Sequence, residues 1–359
     1  MLGFSVFLGD TFHQEKKNYV KEMFELGFRK VFTSLHIPED DASQLFNNLK
    51  VLGSLTKSLN MELMADISVD GLKRLGIDLT QTNAIQELQE LGVTGIRMDY
   101  GVSNETIASV SNLMSVGLNA STLTEKDVEE LIKYQGNFDQ MELWHNYYPR
   151  PETGLSEEYF IKLNQKWQSL GAKIVAFVPG DENLRGPLHQ GLPTLECHRK
   201  KHPLFAATDL LQTYHCDIVC IGDEGLQKRT KKQFKAYFHD KKIILHVCNV
   251  VKTHQELFIG SHTNRLDDAR DVIRSQEARF KQIPKIKANQ TKQRKYGSVT
   301  LDNEHYLRYM GELQITKVNL KADEKVNVVA EVEESDLDLI QCILPGQQFE
   351  LKESRNKCE

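Results

Sequence analysis

The chain has 359 residues, more than one compact core usually holds, so two domains are expected. With 40% hydrophobic and 26% charged residues it has the composition of a soluble globular protein, and a net charge of -5 gives no basic field for nucleic acid. No apolar stretch approaches the ~20 residues that cross a bilayer. The amino terminus lacks the pattern of a signal peptide, so we expect a cytoplasmic protein with no membrane partner. The six cysteines show neither CxxC nor zinc-finger spacing, and reduced thiols are expected.

Short apolar runs recur through the first two thirds of the chain. They are almost continuously apolar rather than alternating, which is typical of strands covered on both faces. The runs are FSVFL (4–8), KVFTSL (30–35), ELMADI (62–67), GIRMDY (95–100), GLNAST (117–122), MELWHN (141–146), KIVAFV (173–178) and DIVCIG (217–222).

Helical patterns lie between these runs. Several are predicted to end at a residue in the left-handed conformation, which closes a helix. These residues are Gly27, Asn60, Gly92, Gly136 and Gly171. Thr124 and Asp127 form the pattern of a helix-capping pair. A strand followed by a helix, eight times over, predicts an α/β fold, a (β/α)8 TIM barrel over residues 1–240 whose last helix spans 224–240. A doubly wound open sheet is the rival fold.

The pattern changes from about residue 241. Short strands separated by turns, among them 243–247 and 338–344, predict a small, mostly β domain over 241–359. One helical piece is expected near 266–280, and the basic segment 281–295 is expected to be a polar loop.

Polar and charged residues collect where the barrel strands end. In a (β/α)8 barrel this carboxyl end of the strands is the working face. The candidates are Asp10 after strand 1, His36 and Glu39 after strand 2, Asp66 on strand 3, Arg97 and Asp99 on strand 4, Asn119 on strand 5, Asn146, Tyr148, Arg150 and Glu152 in HNYYPRPETGLS (145–156), and Asp181, Arg185 and His198 after strand 7. A second cluster, GSHTNRLDDARDVIRS (260–275), contributes Asn264, Arg265 and Arg270, unless these arginines only pair with acids along a surface helix.

The residue types at these ends narrow the chemistry. No strand end presents a lysine, which disfavours Schiff-base and pyridoxal-phosphate enzymes, and no GxGxxG or P-loop supports a nucleotide cofactor. Crowded carboxylates separate their pKa values into a proton donor and an ionised partner, as glycoside hydrolysis requires. The same carboxylates would also suit a divalent metal. Tyrosines can stack on sugar rings, and arginines bind phosphate or carboxylate with paired hydrogen bonds.

Several strings resemble the bacterial 6-phospho-N-acetylmuramidase family, in the same order and over nearly the whole chain. They are FTSLHIPEDD, MADIS, GIRMDYG, GLNAST, HNYYPRPETGLS, FVPGD, LRGPLHQGLPTLECHR, IGD and HTNRLDDARDVIRS. The resemblance implies a barrel followed by a cyclophilin-like β domain. It also implies a cytoplasmic enzyme of peptidoglycan recycling that needs no cofactor. Its substrate would be a phosphorylated disaccharide, in which it hydrolyses the β-1,4 bond between N-acetylmuramic acid 6-phosphate and N-acetylglucosamine.

Catalytic residues are inferred by analogy with barrel glycosidases that carry carboxyls after strands 4 and 7. This favours Asp99 and Asp181, with Asp66, Glu39, Asp10 and Glu152 in reserve. The substrate's own 2-acetamido group is an alternative nucleophile. Two other functions stay open, a metal-dependent phosphosugar isomerase or epimerase and a non-catalytic sensor of phosphorylated muropeptides. The oligomeric state also stays open, with a homodimer as one option.

Overall fold

The computed structural model describes residues 1–9, 12–35, 42–68, 71, 77–98, 101–279 and 283–354. The chain divides into two compact units, Met1–Lys228 and Arg229–Glu359. This division lies within the segment predicted as the last barrel helix, ahead of the predicted boundary after residue 240.

Eight parallel strands of the first unit form a closed barrel in chain order, and β8 pairs with β1. The strands are β1 Leu2–Ser5, β2 Lys30–Ser34, β3 Glu62–Asp66, β4 Gly95–Met98, β5 Ser115–Asn119, β6 Met141–Trp144, β7 Lys173–Val178 and β8 Ile218–Ile221. Six of the eight predicted runs contain one of these strands in full, and the runs 4–8 and 117–122 overlap β1 and β5. The barrel is therefore confirmed and the open sheet is wrong.

The described α-helices follow the strands. They are α1 Gln14–Glu25, α2 Ala42–Ser58, α3 Thr82–Glu90, α4 Asn104–Ser111, α5 Glu125–Lys133, α6 Glu157–Gln168, α7 Pro203–Gln212 and α8 Lys228–Phe238. The capping pair is confirmed, because the Thr124 hydroxyl accepts from Asp127 N and the Asp127 carboxylate accepts from Thr124 N. Four of the five predicted helix ends have positive φ, but after α5 it is Gln135 (φ 58°), not Gly136, that takes this conformation.

The barrel interior has three layers, because alternate strand residues point inward. At the amino end, buried Lys30 on β2 contacts Glu142 across the barrel on β6 and lies 2.8 Å from Glu62 on β3. The other Glu142 oxygen accepts from Trp144 Nε1 at 3.0 Å. The mutual pairing keeps a lysine buried where an isolated ammonium would be costly.

The middle layer is apolar and largely aromatic. Phe32, Trp144 and Phe177 meet with ring centroids 5.2–5.7 Å apart, and Met64 packs with them. Gly117 leaves room for the indole, since a Cβ there would lie 2.9 Å from Trp144 Cδ1. These rings form the floor beneath the carboxyl end of the barrel.

The second unit is a seven-stranded sheet in the order β10-β15-β9-β14-β12-β13-β11. Its pairs are antiparallel except β15 with β9. The strands are β9 Lys242–Cys248, β10 Gly260–Thr263, β11 Val272–Arg274, β12 Ser298–Asp302, β13 Leu313–Thr316, β14 Val326–Val332 and β15 Gln348–Glu353. The mostly β character of this region is confirmed.

Two local predictions in the second unit are wrong. The helix expected near 266–280 is replaced by β11, which pairs with β13, so tertiary pairing overrides the local pattern. The strand expected at 338–344 lies largely in a 3₁₀ helix, Glu334–Cys342, whose buried Leu339 and Cys342 are three residues apart. The other 3₁₀ helices are Phe138–Gln140, Glu196–His198, Gln255–Leu257, Glu277–Arg279 and Glu304–Tyr309.

Cys197, Cys216, Cys220 and Cys342 carry free thiols, as the spacing of the cysteines predicts. Among the described helices, none combines the length and the apolar character needed to cross a membrane.

Candidate active site

A buried polar layer covers the aromatic floor at the carboxyl end of the barrel. Asp66 ends β3, Arg97 lies on β4, and Asn146 follows β6 by two residues. Arg97 Nη1 donates to Asp66 Oδ1 at 3.2 Å, and Arg97 Nη2 donates to Asn146 Oδ1. These bonds are charge-assisted and lie away from solvent, so they fix the ends of three strands relative to one another.

A tyrosine and an arginine are held rigidly beside this layer. The Tyr147 ring packs edge-on against Phe177 with centroids 5.1 Å apart, and its hydroxyl accepts from Arg185 Nη1 at 2.8 Å. The Arg185 guanidinium lies 3.7 Å above the centroid of the Phe7 ring. Burial raises the pKa of Tyr147, so the phenol stays neutral at ordinary pH. Arg185 is therefore a cation with little rotational freedom.

Glu196 joins the loop after β6 to the loop after β7. Its two carboxylate oxygens accept from Arg199 Nε and Nη2, each at 2.6 Å. The same oxygens accept from Glu152 N at 2.9 Å and Gly154 N at 2.8 Å. The hydrogen bonds from Arg199 lower the pKa of Glu196 to about 2. The carboxylate therefore stays ionised and holds the loop after β6, the sixth loop, in place.

The loop after β7 is organised by two aspartates. Asp223 is fully buried after β8 and accepts from the N–H groups of Gly180, Arg185 and Leu192 at 2.9–3.1 Å. Burial raises the pKa of Asp223. The partly exposed Asp181 accepts from Gln227 N at 2.7 Å through Oδ1, so its carboxyl group has a fixed direction.

Two family models match the chain, and together they span nearly all of it. The model described as 6-phospho-N-acetylmuramidase, N-terminal, matches residues 2–236, and the C-terminal model of the same family matches residues 243–352. The chain belongs to the 6-phospho-N-acetylmuramidase family. This confirms the family that the sequence strings resemble. It also makes the chain a glycosidase that acts on a phosphorylated muramic sugar.

Two solved structures are similar to the chain over nearly its whole length. A conserved protein of unknown function from Enterococcus faecalis is 43% identical, with a TM-score of 0.92 over 99% of this chain and 97% of that one. An uncharacterised B. cereus protein is 24% identical, with a TM-score of 0.72 over 98% and 99% of the two chains, and it supports the fold alone. The search of curated proteins found no match.

Several predicted site residues do come together at the carboxyl end of the barrel. Arg97 contacts both Asp66 and Asn146. Asn119 is buried at the end of β5, where its Oδ1 accepts from Ser121 N at 3.0 Å. Tyr148 follows Tyr147, and its N–H donates to Pro193 O at 2.9 Å.

Other predicted residues occupy the surface of the loops or fall outside the described residues. The side chains of Arg150 and Glu152 are exposed, and Glu152 contributes its backbone N–H to the clamp. Asp10, His36, Glu39 and Asp99 lie outside the described residues.

The remaining candidates are engaged in contacts within their own units. His198 is buried with its Nε2 2.8 Å from Asp209 Oδ2 on α7. Asn264 is buried and donates to two backbone carbonyls, at residues 343 and 344. Arg265 pairs with Asp267, and the exposed Arg270 pairs with Asp271. These arginines do pair with nearby acids, as the alternative expected, but the surface helix of that alternative is wrong, because residues 264–271 are not helical.

Glu196 shapes the site but is absent from the predicted set. Its signal in the sequence is Arg199, three residues later. Tyr147 and Asp223, which also shape the site, stand where the sixth and eighth predicted strands end. Among the residues that the structure describes, no group of three or more His, Cys, Asp or Glu side chains is placed to hold a metal ion.

Proposed function

We propose that the chain hydrolyses the β-1,4 bond between N-acetylmuramic acid 6-phosphate and N-acetylglucosamine during peptidoglycan recycling in the cytoplasm. The observation that carries the proposal is the match of both family models, one to each part of the chain. The polar layer above the barrel floor supports it, because it offers directed hydrogen bonds at the face where barrel enzymes bind substrates.

The substrate carries a phosphate and a lactyl carboxylate, and we assign their recognition to arginines at this face. Arg185 is fixed between Phe7 and the Tyr147 hydroxyl, so little conformational entropy is lost when it binds an anion. Arg150 projects from the clamped sixth loop and is exposed. Tyr148 supplies a ring that can stack on a sugar.

The catalytic carboxyls are proposed from their positions at strand ends. Asp181, oriented by Gln227 N, and Asp99 are the proposed acid–base pair. Asp66 is bound to Arg97 and buried, which suits it to orienting the substrate's acetamido group. In that arrangement the acetamido oxygen attacks the anomeric carbon while a carboxyl group protonates the leaving oxygen.

The test is to incubate the purified full-length protein with the phosphorylated disaccharide and measure free N-acetylglucosamine. We expect turnover in the wild type and a loss of kcat of ~10² or more in Asp181→Asn and in Asp99→Asn. Asp139→Asn is the matched control, because Asp139 is exposed near the start of β6, at the opposite end of the barrel. Its rate should equal that of the wild type.

Three outcomes would contradict the proposal. Binding without release of N-acetylglucosamine would indicate a sensor. Conversion of a phosphosugar that stops on adding a chelator would indicate a metal-dependent isomerase. A wild-type rate in either aspartate variant would remove that residue from the mechanism.

A further inference from the structure

The second unit contains a cavity of about 290 Å³ over its sheet. Its lining comes from β12 and β14, from the segment after β9, and from residues 285–290 of the basic loop. All of these lie within Arg229–Glu359. The cavity therefore belongs to this unit alone.

The basic loop forms one wall of the cavity and is fastened to the sheet. Glu304 N donates to Ile286 O at 2.8 Å, and Val328 N donates to Gln290 O at 3.2 Å. Between these points the buried Asn327 accepts from Asn289 N at 3.0 Å and donates to Lys287 O at 2.8 Å. Because the wall is held along its length, the cavity is preformed.

The floor and the rim differ in character. Ile286, Leu301, Val328 and Val329 line the cavity and are each no more than 4% exposed. This aliphatic lining surrounds a volume close to that of a small-ligand pocket, whereas ordinary protein interiors leave few voids larger than a water molecule.

Two lysines and a histidine lie at the rim. Lys285 lies 2.9 Å from Glu304 Oε2, and His254 Nδ1 lies 3.8 Å from Glu256 Oε1. Lys287 also lines the cavity, and it forms no ion pair within the described part of the chain. Lys287 is therefore the rim ammonium that is available to an incoming anion.

We propose that this cavity binds a small organic anion with an apolar body and a compact anionic head such as a carboxylate. The body packs on the aliphatic floor, and the head meets Lys287 at the rim. The size of the cavity limits the ligand to a single branched chain or one ring. This site does not depend on the proposed glycosidase activity.

The probe is 4-methylpentanoate, which is titrated into methyl-labelled full-length protein. Its primary amide has nearly the same shape but no charge, and it is the control ligand. We expect the methyl resonances of Leu301, Val328 and Val329 to shift and to saturate between about 0.1 and 10 mM acid. The amide should bind about threefold to fivefold more weakly, the effect of one partly exposed charge pair.

Variants then test the rim. Lys287→Ala should weaken binding of the acid to the level of the amide, whereas Lys321→Ala, which removes a lysine that does not line the cavity, should leave both unchanged. Arg150→Ala, on the barrel, should also leave both unchanged. The proposal is overturned if these methyl groups do not shift, if acid and amide bind equally to the wild type, or if Lys287→Ala binds the acid as the wild type does.

Discussion

The clamp at Glu196 offers the sharpest test of how the sixth loop is held. In Glu196→Gln the side chain keeps its shape but loses its charge, and one of its two acceptor oxygens becomes a donor. That donor then faces an N–H group of Arg199 or of the loop backbone. The Glu196 side chain is about one third exposed. Replacing its charge-assisted hydrogen bonds by this contact between two donors should lower the free energy of opening the loop by about 2–3 kcal/mol.

The assay is native-state hydrogen exchange of the Glu152 and Gly154 amides, which donate to Glu196. A loss of about 2–3 kcal/mol corresponds to exchange roughly 30–150 times faster. Glu158→Gln, at an exposed acid on α6, should leave both rates unchanged. KM for the disaccharide should rise in Glu196→Gln, because Arg150 is carried on this loop. Unchanged exchange at Glu152 and Gly154 would refute the clamp.

Protonation should loosen the clamp in the same way. The pKa of Glu196 is lowered from 4.5 to about 2 in the folded chain, chiefly by its hydrogen bonds from Arg199. A lowered folded-state pKa gives stability that is full above the unfolded value and is lost as the pH falls through the folded one. Protection of the Glu152 and Gly154 amides should therefore hold above pH 4.5 and decline toward pH 2.

Three further predictions concern stability, followed by urea unfolding. Glu142→Ala should lower the free energy of unfolding by about 3–5 kcal/mol, because it leaves the buried Lys30 with Glu62 as its carboxylate partner. The double change Lys30→Met with Glu142→Leu should leave the free energy of unfolding almost unchanged. Equal losses in the single and the double variant would contradict this. Gly117→Ala should lower the free energy of unfolding by about 1–3 kcal/mol and alter the fluorescence of Trp144, because the new methyl group would lie against the indole ring. An unchanged emission spectrum and an unchanged urea midpoint would contradict this, since they would show that the aromatic floor shifts to accommodate the methyl group. Burial, with the neighbouring charge of Glu312, raises the pKa of Asp302 to about 7. Between pH 4 and 7 the folded chain therefore holds a proton that the unfolded chain has lost, so the free energy of unfolding should fall as the pH rises through this range. Asp302→Asn should raise the free energy of unfolding by about 2–4 kcal/mol at pH 8 and leave it unchanged below pH 4. A gain that does not vary with pH would exclude this titration as the cause.

The barrel can be predicted from the sequence, because its strands are buried on both faces and its helices end at recognisable residues. The eight apolar runs and the Thr124–Asp127 cap depend on neighbours only a few residues apart. The miss at Gly136 shows the limit of such signals, since the preceding Gln135 could take the same backbone conformation.

Contacts between distant parts of the chain set what the sequence could not show. Glu196 meets Glu152 and Gly154 from 44 and 42 residues away, and nothing local indicates that pairing. In the second unit, β11 forms only because β13 pairs with it. The polar layer at the carboxyl end lies between these cases. Its residues stand at predicted strand ends, but Arg97 bonds to residues 31 and 49 positions away, and no local pattern indicates those bonds.

The aromatic floor of Phe32, Trp144 and Phe177 limits how a ligand can reach the barrel. It fills the middle of the barrel, so the described interior is a packed core rather than a channel. A ligand of the barrel face therefore enters and leaves at the carboxyl end of the strands. It meets the polar layer of Asp66, Arg97 and Asn146 first, because that layer lies over the rings.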